Sequence, residues 1–584
     1  MALFFGLPAG FTQNEYSISD SARQQLDSAY REVLEKYKVV GASLAIVDSN
    51  GIVYAQGYGF QDREQQVPAT ENTIYRIGSI SKSFTALSIM QLQEQGALHV
   101  GDPIGKHIPE LKVHSRFDAD NPLLIEDILT HTSGLPSDLW SGFFCDTPPP
   151  TDWLVGTLNN CTMAAPAGYQ HSYSNAGYGL LGELVQQTTA KTYQNYLTEN
   201  IFAPLNMSAS YVDQPTEEQA ALYSKGYLDG KAVDEGIIRD QGAGLVHSNV
   251  LDMAHYIQMY LQRGQFEGRQ IVDKASMEAM ERNAVGDLVL ATDAQWGFGL
   301  YADSMSWKSE TDTLVTRIVG HGGDTWAYHA DFAYLPEMKL GAIILTNTDR
   351  GVRIASAKTV LEKYLEYEHK VRFKKHKKAV KAPVGDQIAS PEQVVGEYYF
   401  QGLALKVKYT KIITFKQSGV KVILTPVNDS LVYSAKAKIL GIYPVKVKNQ
   451  RFRFVTKDGE VFFKVIYMHN GSEDYVARKS SSGPLNSSWS ERLGSYTVVS
   501  NPYPCTDCPF MNFEGLSMKL KEVNGTLVFE MEAKTRDTRR RMFMNPINDE
   551  FCVSYGIGRG TGEAIRVLPN GNLFYSGFEF VKKS

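Results

Sequence analysis

Ser79 stands three residues before Lys82 in the stretch "YRIGSISKSFTALSIMQLQEQG", and the residues around the pair decide what chemistry it could do. Ile80, Phe84, Leu87, Met90 and Leu92 cover much of the surface of a helix that the pattern ends at Gly96, so the spacing predicts a buried helix and a buried Lys82. Removing an ammonium from water favours the neutral amine, the form a general base requires. Ser79 lies one turn earlier on the same face, at the helix N-terminus, where the macrodipole favours developing negative charge. Lys82 is therefore a candidate activator of a Ser79 nucleophile.

Serine and lysine at this spacing are a weak signal alone. Ser418 and Lys421 match it too, in a β-rich stretch where the spacing puts the side chains on opposite faces. The first pair stands out by its setting: Tyr75 to Ala86, with Gly78-Ser79-Ile80-Ser81-Lys82 inside it, resembles the active-site helix of the serine β-lactamase and penicillin-binding superfamily, class C type. That resemblance asks for a Tyr-x-Asn, supplied by Tyr173-Ser174-Asn175 in "HSYSNAGYGLLGELV" on a loop entering an apolar helix. Tyr193-Gln194-Asn195 also fits but lies within a helical pattern and reads as packing. It asks last for Lys/His-x-Gly on an inner strand, matched by His321-Gly322-Gly323 in "IVGHGGDTW", with His469-Asn470-Gly471 set aside as a hairpin turn. The order and flanking text of the three matches carry the resemblance, which "DPIGKHIPEL", "IEDILTHTSGLP", "APLNM" and "QGAGLVHSNVLDMAHY" extend over about residues 20 to 368. His131 in "THTSGLP" is assigned by the resemblance to buttressing the site.

The resemblance implies a mechanism without metal or cofactor. Ser79 attacks a carbonyl and forms an acyl-enzyme, its proton passing to neutral Lys82 or to a Tyr173 phenolate, an alternative left open. The backbone amides of Ser79 and Asp324 would hold the oxyanion, and Gly322 and Gly323 would let substrate approach the strand closely. Asn175 would hydrogen-bond the substrate amide and Lys82. Tyr173 would protonate the leaving group and later activate water. His321 departs from class C β-lactamases, which carry Lys there: an imidazole with the ordinary pKa of about 6.5 would bind a substrate carboxylate less well as pH rises past it. His-x-Gly is found instead in relatives acting on peptides, including D-aminopeptidases, DD-peptidases and alkaline D-peptidases. Trp326-Ala327-Tyr328-His329 is bulkier than the text usual after this motif. The expected function is a serine hydrolase of small peptides or amides, D-residues included. A carboxylesterase or acyltransferase is the alternative, and a non-catalytic penicillin-binding or sensor module the reading from another class.

The elements that must position these residues are legible as patterns. Leu26, Ala29, Tyr30, Val33, Leu34 and Tyr37 share one face of a helix over 21 to 38. "ASLAIVD" and "IVYAQGYGF" form a hairpin about Ser49-Asn50-Gly51. Three strands follow in "TRIVGHGG", "AYHADFAYLP" and "LGAIILTNT", then a helix over about 350 to 368. The fold class expected is α/β: a β-lactamase-like domain over 1–368, an antiparallel sheet with flanking helices and a helical lobe, then an all-β region. A basic linker, 369–389, with "HKVRFKKHKKAVKAP", leads to two small antiparallel barrels, 390–489 and 490–584, lipocalin-like by resemblance to the D-aminopeptidases.

Composition bounds the partners. The 584 residues are 43% hydrophobic and 21% charged with a net charge of −5, which lacks the basic bias of a nucleic-acid binder and leaves a small-molecule or peptide substrate. No apolar window approaches the roughly 18 residues of a transmembrane helix; "MALFFGLPAGF" is apolar but short, broken by Gly and Pro and without a basic n-region, so it is no clear signal peptide, and the stub of a trimmed one is an open alternative. Five cysteines allow at most two disulfides, Cys145 with Cys161 and Cys505 with Cys508, against reduced thiols as the other reading. A secreted or periplasmic location is favoured, and a homo-oligomer is compatible with everything above.

Overall fold

The computed structural model describes residues 16–584 apart from 118–120, 151, 287, 291–294, 309–312, 372–385, 401–402, 410–412, 418–419, 428–431, 440–442, 448, 469–472, 481–484, 500–502, 504–514, 533–539 and 561. Ser418, His469-Asn470-Gly471, Cys505, Cys508, the N-terminal apolar stretch and most of the basic run lie outside the described residues.

An eight-stranded antiparallel sheet forms the centre of the N-terminal half. Its order from one edge is Gln295–Trp296, Tyr301–Lys308, Thr313–Asp324, His329–Leu335, Leu340–Thr346, Gly41–Asp48, Ile52–Asp62 and Val67–Pro68. The hairpin at Asn50-Gly51 therefore does not stand alone: Gly41–Asp48 takes Leu340–Thr346 as its other neighbour, with Leu44 opposite Ile344. The strand Gly41–Asp48 reads as a continuous apolar run because both faces are covered. Leu44 and Ile46 join Leu26, Tyr30, Val360 and Leu361 under the helices Asp20–Tyr37 and Ala357–His369. Ala45 and Val47 face the other way, into the core of the helical lobe with Ile80, Phe84 and Tyr256. The expected helix from 350 is shorter than its pattern. Residues Asp349–Arg353 form a 3-10 turn, and Ser356 caps the helix proper by accepting from Thr359 N–H.

The helix Ser81–Glu94 runs through the middle of the lobe with every residue from Ser81 to Gln91 buried, and Gly96, at φ 71°, follows its end. It is preceded by a 3-10 turn, Gly78–Ile80, so Ser79 sits on a tight turn rather than in the helix.

Beyond the linker the described residues are mostly β-structure, with the short helix Ser487–Glu491 between two units. Ten strands from Gln387–Ile388 to Glu473–Lys479 make one antiparallel sheet that bends until Tyr433 pairs with Phe452, around a core of Tyr398, Leu424, Phe454 and Phe463. Eight more, from Gly494–Val498 to Phe578–Lys582, close into a barrel around Trp489, Phe529, Met544 and Phe580. Tyr399 of the first stacks on Phe543 of the second at 4.1 Å. Cys145 and Cys161 are not paired. Both are buried free thiols, bonded separately to Ile237 O and Thr157 O at 3.5 Å, which corrects the pairing that loop proximity allowed. Among the described residues no helix is long and apolar enough to cross a membrane.

Candidate active site

The structure brings Ser79, Lys82, Tyr173, Asn175, His321, Gly322 and Asp324 to one cleft of about 510 Å³, all but the buried Lys82 lining it. Lys82 is fully buried, and its Nζ lies 3.2 Å from Ser79 Oγ, 2.7 Å from Asn175 Oδ1 and 2.6 Å from Ala243 O. Two of these partners, the amide and carbonyl oxygens, only accept. A neutral amine satisfies both with its two hydrogens and keeps its lone pair for the Ser79 hydroxyl, the arrangement general-base catalysis needs. Burial holds the Lys82 pKa well below its ordinary value, and the Arg559 charge pushes the same way against Asp138 and Asp240.

Three loops converge to make this geometry. Gln241–Gly244 supplies the Ala243 carbonyl, and its approach is close: a Cβ on Gly242 would fall 2.6 Å from Tyr178 O. Asn175 opens the helix Asn175–Thr189 behind an N-cap at Ser174. Its amide is committed at both ends, Oδ1 accepting from Lys82 and Nδ2 donating to Asp138 Oδ1 at 2.6 Å. Asn175 thus holds the lysine; the expected bond to a substrate amide would use its remaining hydrogen. The segment 131–138 carries both Asp138 and His131. The His131 ring lies 4.1 Å from that of Tyr173, and its Nδ1 accepts from Ser174 N–H at 3.1 Å, the position of a buttress.

Tyr173 has Lys82 Nζ 4.8 Å from its ring centre on the inner side. Burial raises its pKa, with a hydrogen bond to Ser79 working weakly against it. A Tyr173 phenolate is thereby disfavoured, and of the two bases left open by sequence the geometry favours Lys82.

The end of strand Thr313–Asp324 lies directly on the Ser79 turn. A Cβ on Gly323 would stand 1.9 Å from Ile77 O, so only glycine permits this approach. Thr325 N–H donates to Tyr328 O at 2.9 Å, and by the alternation of antiparallel pairs the amide of Asp324 points the other way, toward Gly78 and Ser79. The two backbone amides expected to cradle an oxyanion thus lie across this contact.

His321 does not behave as its residue type suggests. It is 3% exposed, and burial first, with Lys82 whenever that amine is protonated, lowers its pKa to about 3. Its Nδ1 must donate, because it faces Gly322 O at 2.5 Å, so Nε2 is left as a buried acceptor with no partner among the described residues. Burial thus works against the expectation that His321 titrates near neutrality and carries the charge for a carboxylate, and favours the neutral imidazole.

The alternative Tyr-x-Asn match is set aside by its position. Tyr193 is fully buried and bonded to Thr85 Oγ1 at 2.6 Å, as helix packing requires. Sequence reasoning missed Asp138, Trp296 and Arg559. Asp138 lies two residues past "THTSGLP", which was the available signal; Trp296 and Arg559 carry none. Trp296 packs against Tyr173 and His321, and with Trp140 and Trp326 gives the cleft aromatic walls.

The charge arrangement gives a signed expectation. A neutral Lys82 is needed for activation, so kcat/KM should fall as pH falls through the Lys82 pKa. Asp138→Asn removes a charge that holds this pKa up and should move the acid limb to lower pH. Arg559→Gln removes one that holds it down and should move the limb up. pH profiles of the two variants displaced in the same direction would show that the limb belongs to another group.

A family model described as Beta-lactamase matches residues 26–364. The chain is 29% identical over 254 residues to Protein flp of Staphylococcus aureus (strain NCTC 8325 / PS 47), covering 42% of this chain and 50% of that protein. It is 25% identical over 367 residues to a Beta-lactamase of Pseudomonas fluorescens, covering 58% of this chain and 98% of the relative. It thus spans about half the length of the Staphylococcus relatives and nearly all of the Pseudomonas one. Among solved structures, the octameric penicillin-binding protein homologue from Pyrococcus abyssi superposes with a TM-score of 0.51 at 26% identity, covering 78% of this chain and all of that one.

Proposed function

The chain belongs to the beta-lactamase family, within the serine β-lactamase and penicillin-binding superfamily, and from that membership we propose a serine hydrolase that cleaves small peptides or amides, D-residues included, through a Ser79 acyl-enzyme. One observation carries the reading: a fully buried Lys82 whose two acceptor contacts leave its lone pair for Ser79 Oγ at 3.2 Å. In this reading Lys82 takes the Ser79 proton as the hydroxyl attacks the substrate carbonyl. The Ser79 and Asp324 amides hold the oxyanion, and Tyr173, kept protonated by burial, donates to the departing nitrogen as protonated Lys82 returns the Ser79 proton to it, so that both groups regain their starting states. Deacylation runs the same path with water in place of the amine. The buried acceptor Nε2 of His321 suits a substrate N–H, which an amide has and an ester lacks. This favours peptides over the carboxylesterase alternative.

Turnover of D- and L-aminoacyl anilides, aryl esters and a chromogenic cephalosporin by one preparation tests this. Amide cleavage is expected. Ester turnover without any amide turnover would establish the esterase instead, and rapid acylation by the cephalosporin with no steady-state turnover of any substrate would establish a sensor module.

A further inference from the structure

The closed C-terminal barrel puts one side chain into the cleft. Its residues 556–560 and 562–563 run along the wall 137–141: Ser137 N–H donates to Glu563 Oε1 at 3.3 Å, and Gly560 N–H to Ser137 Oγ at 3.1 Å. The turn between strands Leu573–Tyr575 and Phe578–Lys582 adds Ser576 Oγ donating to Asp138 O at 2.8 Å and Trp140 N–H donating to Ser576 Oγ at 3.2 Å. The same wall accepts Asn175 N–H at Ser137 O, 2.7 Å away, so the barrel is bonded to the segment that positions the lysine's partner. From this loop Arg559 reaches across the Tyr173 ring, with its guanidinium carbon 5.0 Å from the ring centre, and lines the cleft with Ser79.

Arg559 is the one permanent cation among the described lining residues. Its Nε and Nη2 lie 3.4 Å from the buried carboxylate of Asp138, while Nη1 makes no hydrogen bond among the described residues and half of the side chain is exposed. A closed guanidinium–carboxylate pair measures about 2.7–2.9 Å. Asp138 therefore anchors the fork from behind without saturating it. Asp138 is committed besides to Asn175 Nδ2. The other carboxylate on the cleft, Asp324, is bonded to His329 Nδ1 at 2.5 Å. Neither His321 nor Lys82 supplies a competing positive charge, for the reasons of burial given above. The guanidinium lies over the Tyr173 ring and beside the buried Asp138 carboxylate with half of its side chain open to solvent, so the free edge of its planar fork is reachable by a carboxylate that enters the cleft.

We infer that Arg559 binds a carboxylate of the substrate, so that the barrel completes the recognition site and the preferred substrates pair an aromatic or aliphatic group with an acidic one. The inference rests on the hydrolase reading for the word substrate, but recognition itself is measurable without turnover. The test uses the full chain carrying Ser79→Ala, with quenching of the cleft tryptophans by N-benzoylglycine and by its uncharged amide, N-benzoylglycinamide. The acid is expected to bind at least about tenfold tighter than the amide, the worth of a charge-assisted bond. Adding Arg559→Gln should bring the ratio near one, and Arg559→Lys, which keeps a charge beside Asp138 and so protects the fold, should keep part of it. A ratio near one with Arg559 present overturns the inference, as does a preference that survives Arg559→Gln or no saturable binding of either ligand at millimolar concentration. Equal weakening of both ligands by Arg559→Gln overturns it too, leaving a positioning role through Asp138. Reaction of the unmutated protein with a fluorophosphonate reports separately on Ser79: no labelling there sinks the hydrolase reading while the acid-to-amide ratio stands or falls by itself.

Discussion

Ser79→Ala should lower kcat/KM by about four to six orders of magnitude, the scale seen when a nucleophile is removed from a catalytic unit, and should abolish covalent labelling by a fluorophosphonate or a β-lactam. The expectation follows from position. Ser79 is the hydroxyl that lies within reach of a fully buried amine, on a turn pressed against the end of the strand Thr313–Asp324, and it lines the cleft. The fold should survive the change. Ser79 is partly exposed, and the bond to Lys82 that it loses has a net worth of about 1 kcal/mol. Equal circular dichroism and melting temperature would certify the comparison. Labelling that persists in the folded variant would move the nucleophile elsewhere.

Lys82→Met should cost nearly as much in rate, because serine and lysine form one unit and either alone is idle. Methionine fills most of the volume but cannot accept the Ser79 proton, so the comparison isolates chemistry from packing. It leaves Asn175 Oδ1 and Ala243 O without their donor, a penalty of roughly 1–3 kcal/mol for each buried acceptor. The variant should therefore be less stable as well as inactive, whereas Ser79→Ala should be inactive alone. The double variant should be no slower than the worse single one. A double variant slowed by the product of the two factors would mean that the residues act independently, and the shared-proton mechanism would fall.

The site's skeleton was legible because its parts are local. Lys82 could be placed in a core from the apolar residues around it, and Tyr173-Ser174-Asn175 from the loop that enters an apolar helix. The hairpin at Asn50-Gly51 and the three strands near 313–346 were legible from period and turn chemistry. What escaped depends on distance or burial. Arg559 meets Asp138 across 421 residues, and no spacing or periodicity encodes such a contact. His321 carries the same letter whether it titrates near neutrality or, as here, near 3; only its enclosure decides. Ser79 was read into the helix, but Gly78 at φ 52° and the contact with Gly323 tighten that turn into 3-10 form.

The central strand pairing carries a consequence for how the protein comes into being. Gly41–Asp48 is bonded on one side to its hairpin partner and on the other to Leu340–Thr346, so Ala42 waits for Thr346. A ribosome must deliver some three hundred residues after Ala42 before the sheet can close, and the serine helix is made long before the strand end that faces it. Contacts of such separation cost loop entropy before they repay it, which makes this a slow-folding topology. Arg559 is later still, since the Asp138 contact cannot exist until the barrel is nearly finished. Maturation is thus ordered: during refolding, reactivity of Ser79 should return with the sheet, and discrimination between acidic and neutral ligands should follow it in time.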